Sequence, residues 1–282
     1  MPPNIGNFTS CGRTRTIPID HSDKEVIVTY RRIGVMNDLH IPFHDPRAVD
    51  LVLDIFEDSD LDEIVINGDL LDFYALNQHG PKHPSVIESL EEEFFQGLKF
   101  IEELRDRFSN TKLTLVAGNH ENRLDRFVLK YCKDFWNFLT VEKMLRLKEN
   151  HVKYLPYNSF YTIKGTTLRI QHSPPSYSEN LAMTSLKKKV GGSYIYGCSH
   201  RVQHAVKNLD FGGHCEVWAN GWLGSTDLTP SHVEVFSYTK GHSEWQQAAG
   251  IVTAKSSTGD FFYEQFLLKD YKVCINGAVY EG

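Results

Sequence analysis

Five short β-rich stretches of this chain each run straight into side chains that bind divalent metals. Residues 25–35 lead into Asp38-Leu39-His40, and residues 63–67 into Gly68-Asp69-Leu70-Leu71-Asp72. Residues 112–116 lead into Gly118-Asn119-His120-Glu121, residues 168–171 into His172, and residues 194–196 into Gly197-Cys198-Ser199-His200. In α/β sheets, ligands collect beyond the carboxyl ends of the strands. Carboxylate, amide and imidazole groups gathered there suit two divalent transition ions, because imidazole favours Mn, Fe, Ni or Zn over calcium. Each block alone is weak: Asp and His cap turns, Gly-Asp commonly follows a buried strand, and a lone His172 reads as a core or loop histidine. Gly-Asn-His-Glu asks more of a surface turn. The ordered series, each member after a β-rich segment, makes chance a poor explanation.

The intervening segments fit an α/β sheet. Residues 46–56 carry Val49, Val52, Leu53 and Phe56 at helical spacing, so 25–67 reads as a βαβ unit. Residues 84–108 predict an amphipathic helix with Ser85 as a cap, and 123–150 read as mostly helical. Beyond them, strands are expected at 154–161, 166–171, 193–196, 216–219, 232–238 and 261–268, separated by Gly, Pro or Asn turns. No repeat or low-complexity linker divides the chain. Residues 1–24 read as a polar lead-in and 25–282 as one domain with helical insertions.

Composition narrows the classes. With 282 residues, 41% hydrophobic and 23% charged, the chain can bury a sizeable core. A net charge of −6 supplies no global basic field for nucleic acid. No apolar run is long enough to span a bilayer, so no membrane is expected, and residues 1–20 lack the apolar core of a signal peptide. Five cysteines, widely spaced and without a CxxC pair, fit a reducing, cytoplasmic setting better than a disulfide framework or zinc ribbon. A separate zinc module from Cys198, His200, His204, His214 and Cys215 matches no common finger spacing. Oligomeric state is left open: residues 261–268 can cover a sheet edge or pair with a second copy.

From Val35 through His200, the DLH, GDLLD, GNHE, His172 and GCSH blocks resemble the calcineurin-like metallophosphoesterase superfamily. Lys187-Lys188-Lys189, then YGCSHR, Asn220-Gly221 and Trp245-Gln246-Gln247 are similar in spacing to phage-encoded and bacterial members of unassigned substrate. The resemblance implies an α/β fold, a four-layer α/β/β/α sandwich with metals on one rim, and the host cytoplasm if the chain is phage-encoded. It assigns one ion to Asp38, His40, the bridging Asp69 and His200, and a second to Asp69, Asn119, His172 and the first position of the family's GHxH block. That position is Cys198 here, and two outcomes are open. A thiolate ligates directly, favouring Zn²⁺ or Fe²⁺ over Mn²⁺, or the thiol stays out and the second ion is weakly held. The expected cofactors are therefore two divalent ions, Mn²⁺, Zn²⁺ or Fe²⁺, with Ni²⁺ admissible.

The implied activity is hydrolysis of a phosphodiester or phosphomonoester by a metal-bridging hydroxide, whose water is acidified from about pKa 16 toward about 7. The resemblance makes His120 the acid to the leaving group, an effect worth roughly 10²–10⁴-fold. Asp72 and Glu121 are expected to orient the histidines, with helix capping as their alternative role. Phe73 follows Asp72 where some relatives carry Arg, which argues against lipid-A-precursor pyrophosphatase chemistry. Arg123, Arg201 and Lys187 are candidates for substrate phosphate, whereas Arg126 reads as solvated. Two alternatives stand beside this one: a DNA or RNA nuclease using the same dinuclear site, and a non-catalytic metal-binding scaffold with a degraded second site.

Overall fold

A computed structural model describes residues 14–15, 28–77, 89–188, 192–210, 212–225 and 244–282. Two sheets form its centre. The first is ordered β13 (Asp260–Leu267), β12 (Ala248–Lys255), β3 (Arg31–Met36), β4 (Glu63–Asn67), β5 (Lys112–Val116) and β6 (Val152–Leu155). Strands β3 to β6 are parallel, and β12 and β13 close one side antiparallel. The second is ordered β10 (Val202–Asn208), β11 (His214–Asn220), β9 (Ser193–Tyr196), β8 (Leu168–Gln171) and β7 (Tyr161–Thr162), with β8, β9 and β11 parallel. Short antiparallel ribbons, β1 (Thr14–Arg15) with β2 (Val28–Thr29) and β14 (Lys272–Ile275) with β15 (Ala278–Glu281), complete the strands described.

Side-chain alternation along the strands sorts the core into three interfaces. Ile64, Ile66, Leu113 and Leu115 face the helices α1 (Pro46–Asp58), α2 (Leu90–Arg107) and α3 (Glu121–Tyr131). Ile33, Val35, Val65 and Val116 face the opposite way and meet Leu168, Ile170, Ile195 and Trp218 of the second sheet. Tyr194, Tyr196, Val217 and Ala219 turn outward again, against Leu181, Ala182 and Leu186 of α5 (Leu181–Lys188). The layers therefore run α/β/β/α. Helix α1 shows how the sequence sets this up. Pro46 follows the cap Asp45, whose carboxylate accepts from Ala48 N at 3.2 Å. Val49, Val52, Leu53, Ile55 and Phe56 then bury one stripe, each contributing about 1.5–3 kcal/mol of transfer free energy.

Several expected elements differ. The segment 154–161 is not one strand: Pro156 and left-handed Asn158 break it between β6 and β7. Residues 123–150 divide into α3, a 3-10 turn at Lys133–Phe135 and the short α4 (Val141–Met144). The stretch 173–192 contains α5, which is not among the expected elements. The cap of α2 is Ser89, whose hydroxyl accepts from Glu92 N. Ser85 and the first predicted turn, Lys189, the strand 232–238 and most of the lead-in 1–24 lie outside the described residues.

Candidate metal centre

The carboxyl ends of β3, β4 and β5 from one sheet, and of β8 and β9 from the other, open on the same rim. The backbone there is unusual. Asp38, His40, Asp69, Cys198 and His200 all hold left-handed φ between 50° and 65°, a conformation that costs about 1–3 kcal/mol for a residue with a Cβ. Hydrogen bonds fix these turns to one another: Asp38 N donates to Gly68 O at 3.0 Å and His40 N to Asp69 O at 2.9 Å. Cys198 N donates to the Asp38 carboxylate at 2.9 and 3.1 Å, which ties the second sheet to the first. Gly118 is required by close approach, because a Cβ there would lie 2.1 Å from Asp69 Oδ1.

Three overlapping groups of ligand atoms result, each with its members within 4.8 Å of one another: Asp38, His40 and His200; His40, Asp69 and His120; Asp69, His172 and Cys198. In the first, Asp38 Oδ1 lies 3.2 Å from His200 Nε2 and 3.7 Å from His40 Nε2, and the two imidazole nitrogens are 3.1 Å apart. Asp69 Oδ2 sits between the groups, 4.0 Å from His40 Nε2 and 3.2 Å from His172 Nε2. Asn119 Oδ1 joins the other side, 3.0 Å from His172 Nε2 and 2.8 Å from Cys198 Sγ. All seven sequence-predicted ligands are thus brought together.

The donor set fits a divalent cation. His172 Nδ1 donates to the Asn67 carbonyl at 2.7 Å. A carbonyl accepts only from N–H, so Nδ1 carries a hydrogen, and Nε2 is the nitrogen that can give a lone pair to a cation or hold a proton in its place. That lone pair faces Asp69 Oδ2 and Asn119 Oδ1, both acceptors. His40 repeats the pattern, with Nδ1 donating to Asp72 Oδ2 at 2.9 Å and Nε2 aimed at His200. Lone pairs gathered without donors between them repel unless a cation or proton lies among them.

Without a metal, the field around these rings favours protons. Burial works to lower the His40 pKa, but hydrogen bonds to Asp38 and Asp72 and the charge of Asp69 outweigh it and lift the ring to about 10. His172 is likewise raised against its burial by Asp69, Cys198 and Asp38. Burial alone raises Asp69 and Asp72, yet His120 and its neighbouring imidazoles hold both well below the usual carboxylate range. His200 is lowered, chiefly by burial.

The remaining candidates divide. Asp72 orients His40, as above. His120 Nδ1 donates to Asp72 O at 2.6 Å, and its Nε2 accepts from Arg123 at 2.8 Å and lies 3.7 Å from Asp69 Oδ2. Arg123 also donates to Asp72 O, so it stands at the site. Glu121 has a different place from the one expected. Its buried carboxylate accepts from the backbone N–H of Asp69, Leu70, Leu71 and Gly118 and so clamps two ligand loops rather than a histidine ring. Arg201 pairs with Glu244 at 2.5 Å. Lys187 lies exposed in the last turn of α5.

Sequence reasoning quoted Trp245 and Asn220 only for their spacing and missed what surrounds the site. Trp222 stacks on His200 at 5.0 Å, Trp245 meets it edge-on at 4.4 Å, and the Tyr177 hydroxyl lies 3.5 Å from Cys198 Sγ. Buried Glu93 accepts from Phe73 N, and burial reinforced by the Asp72 charge pushes its carboxyl up to about 8. Buried Asn37 and Asn220 lie behind Asp38. Two signals were available: an Asn beside a ligand at Asn37, and Asn220, quoted above only for its spacing, at the end of a β-rich run.

The chain is 24% identical over 240 residues to the Gene 54 protein of Mycobacterium phage D29, covering 79% of this chain and 89% of that protein. Among solved structures it is similar to Vacuolar Protein Sorting 29 from Cryptosporidium parvum, with 11% identity, 89% and 94% of the two chains covered and a TM-score of 0.44. It is also similar to YfcE, a phosphoesterase from E. coli, with 15% identity, 83% and 97% covered and a TM-score of 0.37. The sequence pattern described as calcineurin-like phosphoesterase matches residues 31–251, well over half of the chain. With the ordered ligand blocks and the rim they build, that match places this chain in the calcineurin-like phosphoesterase family.

Proposed function

We propose that this protein hydrolyses phosphate esters at a pair of divalent ions held on the sandwich rim. The observation that carries the reading is the convergence of ligand atoms: His172 Nε2 lies 3.2 Å from Asp69 Oδ2 and 3.0 Å from Asn119 Oδ1. Asp38, His40, Asp69 and His200 would hold one ion, and Asp69, Asn119, His172 and Cys198 the other. Divalent ions bound there would supply acidified water and neutralise phosphoryl charge. Cys198 as ligand favours Zn²⁺ or Fe²⁺ over Mn²⁺ at the second position.

The other residues act on substrate. Arg123, anchored on Asp72 O, can turn its fork to a phosphoryl oxygen. That movement frees His120 Nε2, which Arg123 otherwise occupies; once that nitrogen takes up a proton from solvent, His120 can pass it to the leaving oxygen. The net charge of −6 and the Arg201–Glu244 pair make small phosphomonoesters, phosphodiesters or nucleotides better-supported substrates than long nucleic acid. The phage relative and the reduced-thiol composition fit work in a host cytoplasm.

The test is a metal analysis of purified protein, joined to assays with Mn²⁺, Zn²⁺ or Fe²⁺ on aryl phosphate, aryl phosphodiester, cyclic nucleotide and oligonucleotide. Turnover of a small ester, lost with bound metal in Asp69→Asn, is expected. Metal-loaded protein that hydrolyses none of the four would replace this reading with a non-catalytic scaffold.

A further inference from the structure

Behind Asp38 runs a chain of hydrogen bonds whose direction is fixed at every link. Asn37 Nδ2 donates to Asp38 Oδ2 at 2.5 Å and to Gly221 O at 2.8 Å. Both partners are acceptors, so the amide nitrogen of Asn37 points at them and Asn37 Oδ1 faces away. Asn220 Nδ2 fills that oxygen at 2.7 Å, which orients the second amide in turn. Asn220 Oδ1 then needs donors, and the Tyr263 hydroxyl and Gln265 Nε2, the latter at 3.3 Å, supply them from β13. Asn37, Asp38 and Asn220 have no solvent exposure. Within such a buried chain each bond polarises the next, and the chain ends on a carboxylate.

The far end is held as firmly as the near one. A Cβ on Gly250 would fall 2.4 Å from the Tyr263 ring, so this glycine lets the ring lie flat on β12. Trp218 packs edge-on against the same ring at 5.3 Å. Burial keeps the Tyr263 phenol protonated, and so a donor, far above its ordinary range.

We infer that Tyr263, with Gln265, is a positioning residue for Asp38: strand β13 sets the aim and basicity of a metal-binding carboxylate through Asn220 and Asn37. Neither residue touches the rim itself. The inference rests on the proposed metal centre but not on its hydrolytic activity. Loss of a direct partner of a ligand typically weakens metal binding by about 10–100-fold, and an effect of about three- to tenfold is expected two links further out.

Binding of Mn²⁺ to metal-stripped full-length protein, followed by calorimetry, tests it. Tyr263→Phe keeps the ring and removes the donor, and Gln265→Met removes the second donor if the first change disturbs folding. One of two binding steps should weaken about three- to tenfold while the other holds within about twofold, with thermal stability nearly unchanged. Combining Tyr263→Phe with Asn220→Ala should add nothing to Asn220→Ala alone, because both break one chain. Unchanged binding in Tyr263→Phe and Gln265→Met, equal weakening of both steps, or full additivity with Asn220→Ala would overturn the inference. Wild-type protein that takes up no ion would overturn the metal centre and this inference with it, whereas binding without hydrolysis would overturn only the proposed activity.

Discussion

His40 shows at the residue scale how the site prepares for a cation. Its pKa of about 10, against an ordinary 6.5, means the metal-free ring is protonated at neutral pH. A raised folded-state pKa stabilises the fold fully below about 6.5, and that contribution is lost as pH rises through about 10. The depressed Asp69 and Asp72 act oppositely: their contribution is present above 3.8 and lost as pH falls through their folded values. The melting temperature of metal-stripped protein is therefore expected to be highest near pH 4–6.5 and to decline toward pH 10. Metal affinity should rise over that alkaline range, because His40 must shed its proton to bind. A flat melting profile from pH 6 to 10 would contradict the field assigned to the three carboxylates. Cys198 gives a second prediction. Its Sγ lies with Asp69 and His172 in one candidate group, so Cys198→His should strengthen Mn²⁺ binding and weaken the preference for Zn²⁺. Competition between the two ions measures this, and an unchanged preference would mean that the thiol is no ligand.

At the scale of elements, α3 matters because its first residue ends inside the neighbouring loop. The Glu121 carboxylate accepts four backbone N–H groups and holds the turns after β4 and β5 together. Removing it strands buried donors that water cannot reach, at a cost of about 1–3 kcal/mol each where the loop cannot relax. Glu121→Ala is expected to lose at least about 3 kcal/mol of stability in denaturant unfolding and to bind metal poorly, since Asp69 rides on the clamped turn. A loss below about 1 kcal/mol would show that the loops hold themselves. That clamp was not legible in the sequence, where Gly-Asn-His-Glu announces chemistry but not which groups Glu121 reaches. Strands β4, β5 and β9 were legible to the residue because each is a short apolar run bounded by breakers. Strand β10 was not: Val202–Asn208 carries Gln, His, Lys and Asn on an edge with one face in solvent, so its pattern carries little hydrophobic signal. Helix α5 was hidden for a similar reason, since its buried stripe is only Leu181, Ala182, Ser185 and Leu186.

Across the whole molecule, the ligand blocks were readable because strand ends are local, whereas the network behind Asp38 joins residues about 180 positions or more apart in the chain. The same separation would give bound ions a mechanical role. Asp38, His40, Asp69 and Asn119 follow strands of the first sheet, and His172, Cys198 and His200 follow strands of the second. Among the described residues the protein's own ties between the rims include the Cys198 N–H to Asp38, the His172 ring to Asn67 O and the Asn220 amide to Asn37. A cation bound by both sets links the sheets where backbone strain is concentrated. An ion present at 100 times its dissociation constant adds about 2.7 kcal/mol to stability, which for a chain of this size corresponds to roughly 5–10 °C in melting temperature. Removing metal with a chelator should reverse that shift, and Asp69→Asn should abolish it. Because the link spans both sheets, metal should slow amide hydrogen exchange at the carboxyl ends of β3 and β4 and of β8 and β9 alike. Protection confined to one sheet would mean that the ions are held by half of the rim, and the shared role given to Asp69 would fall.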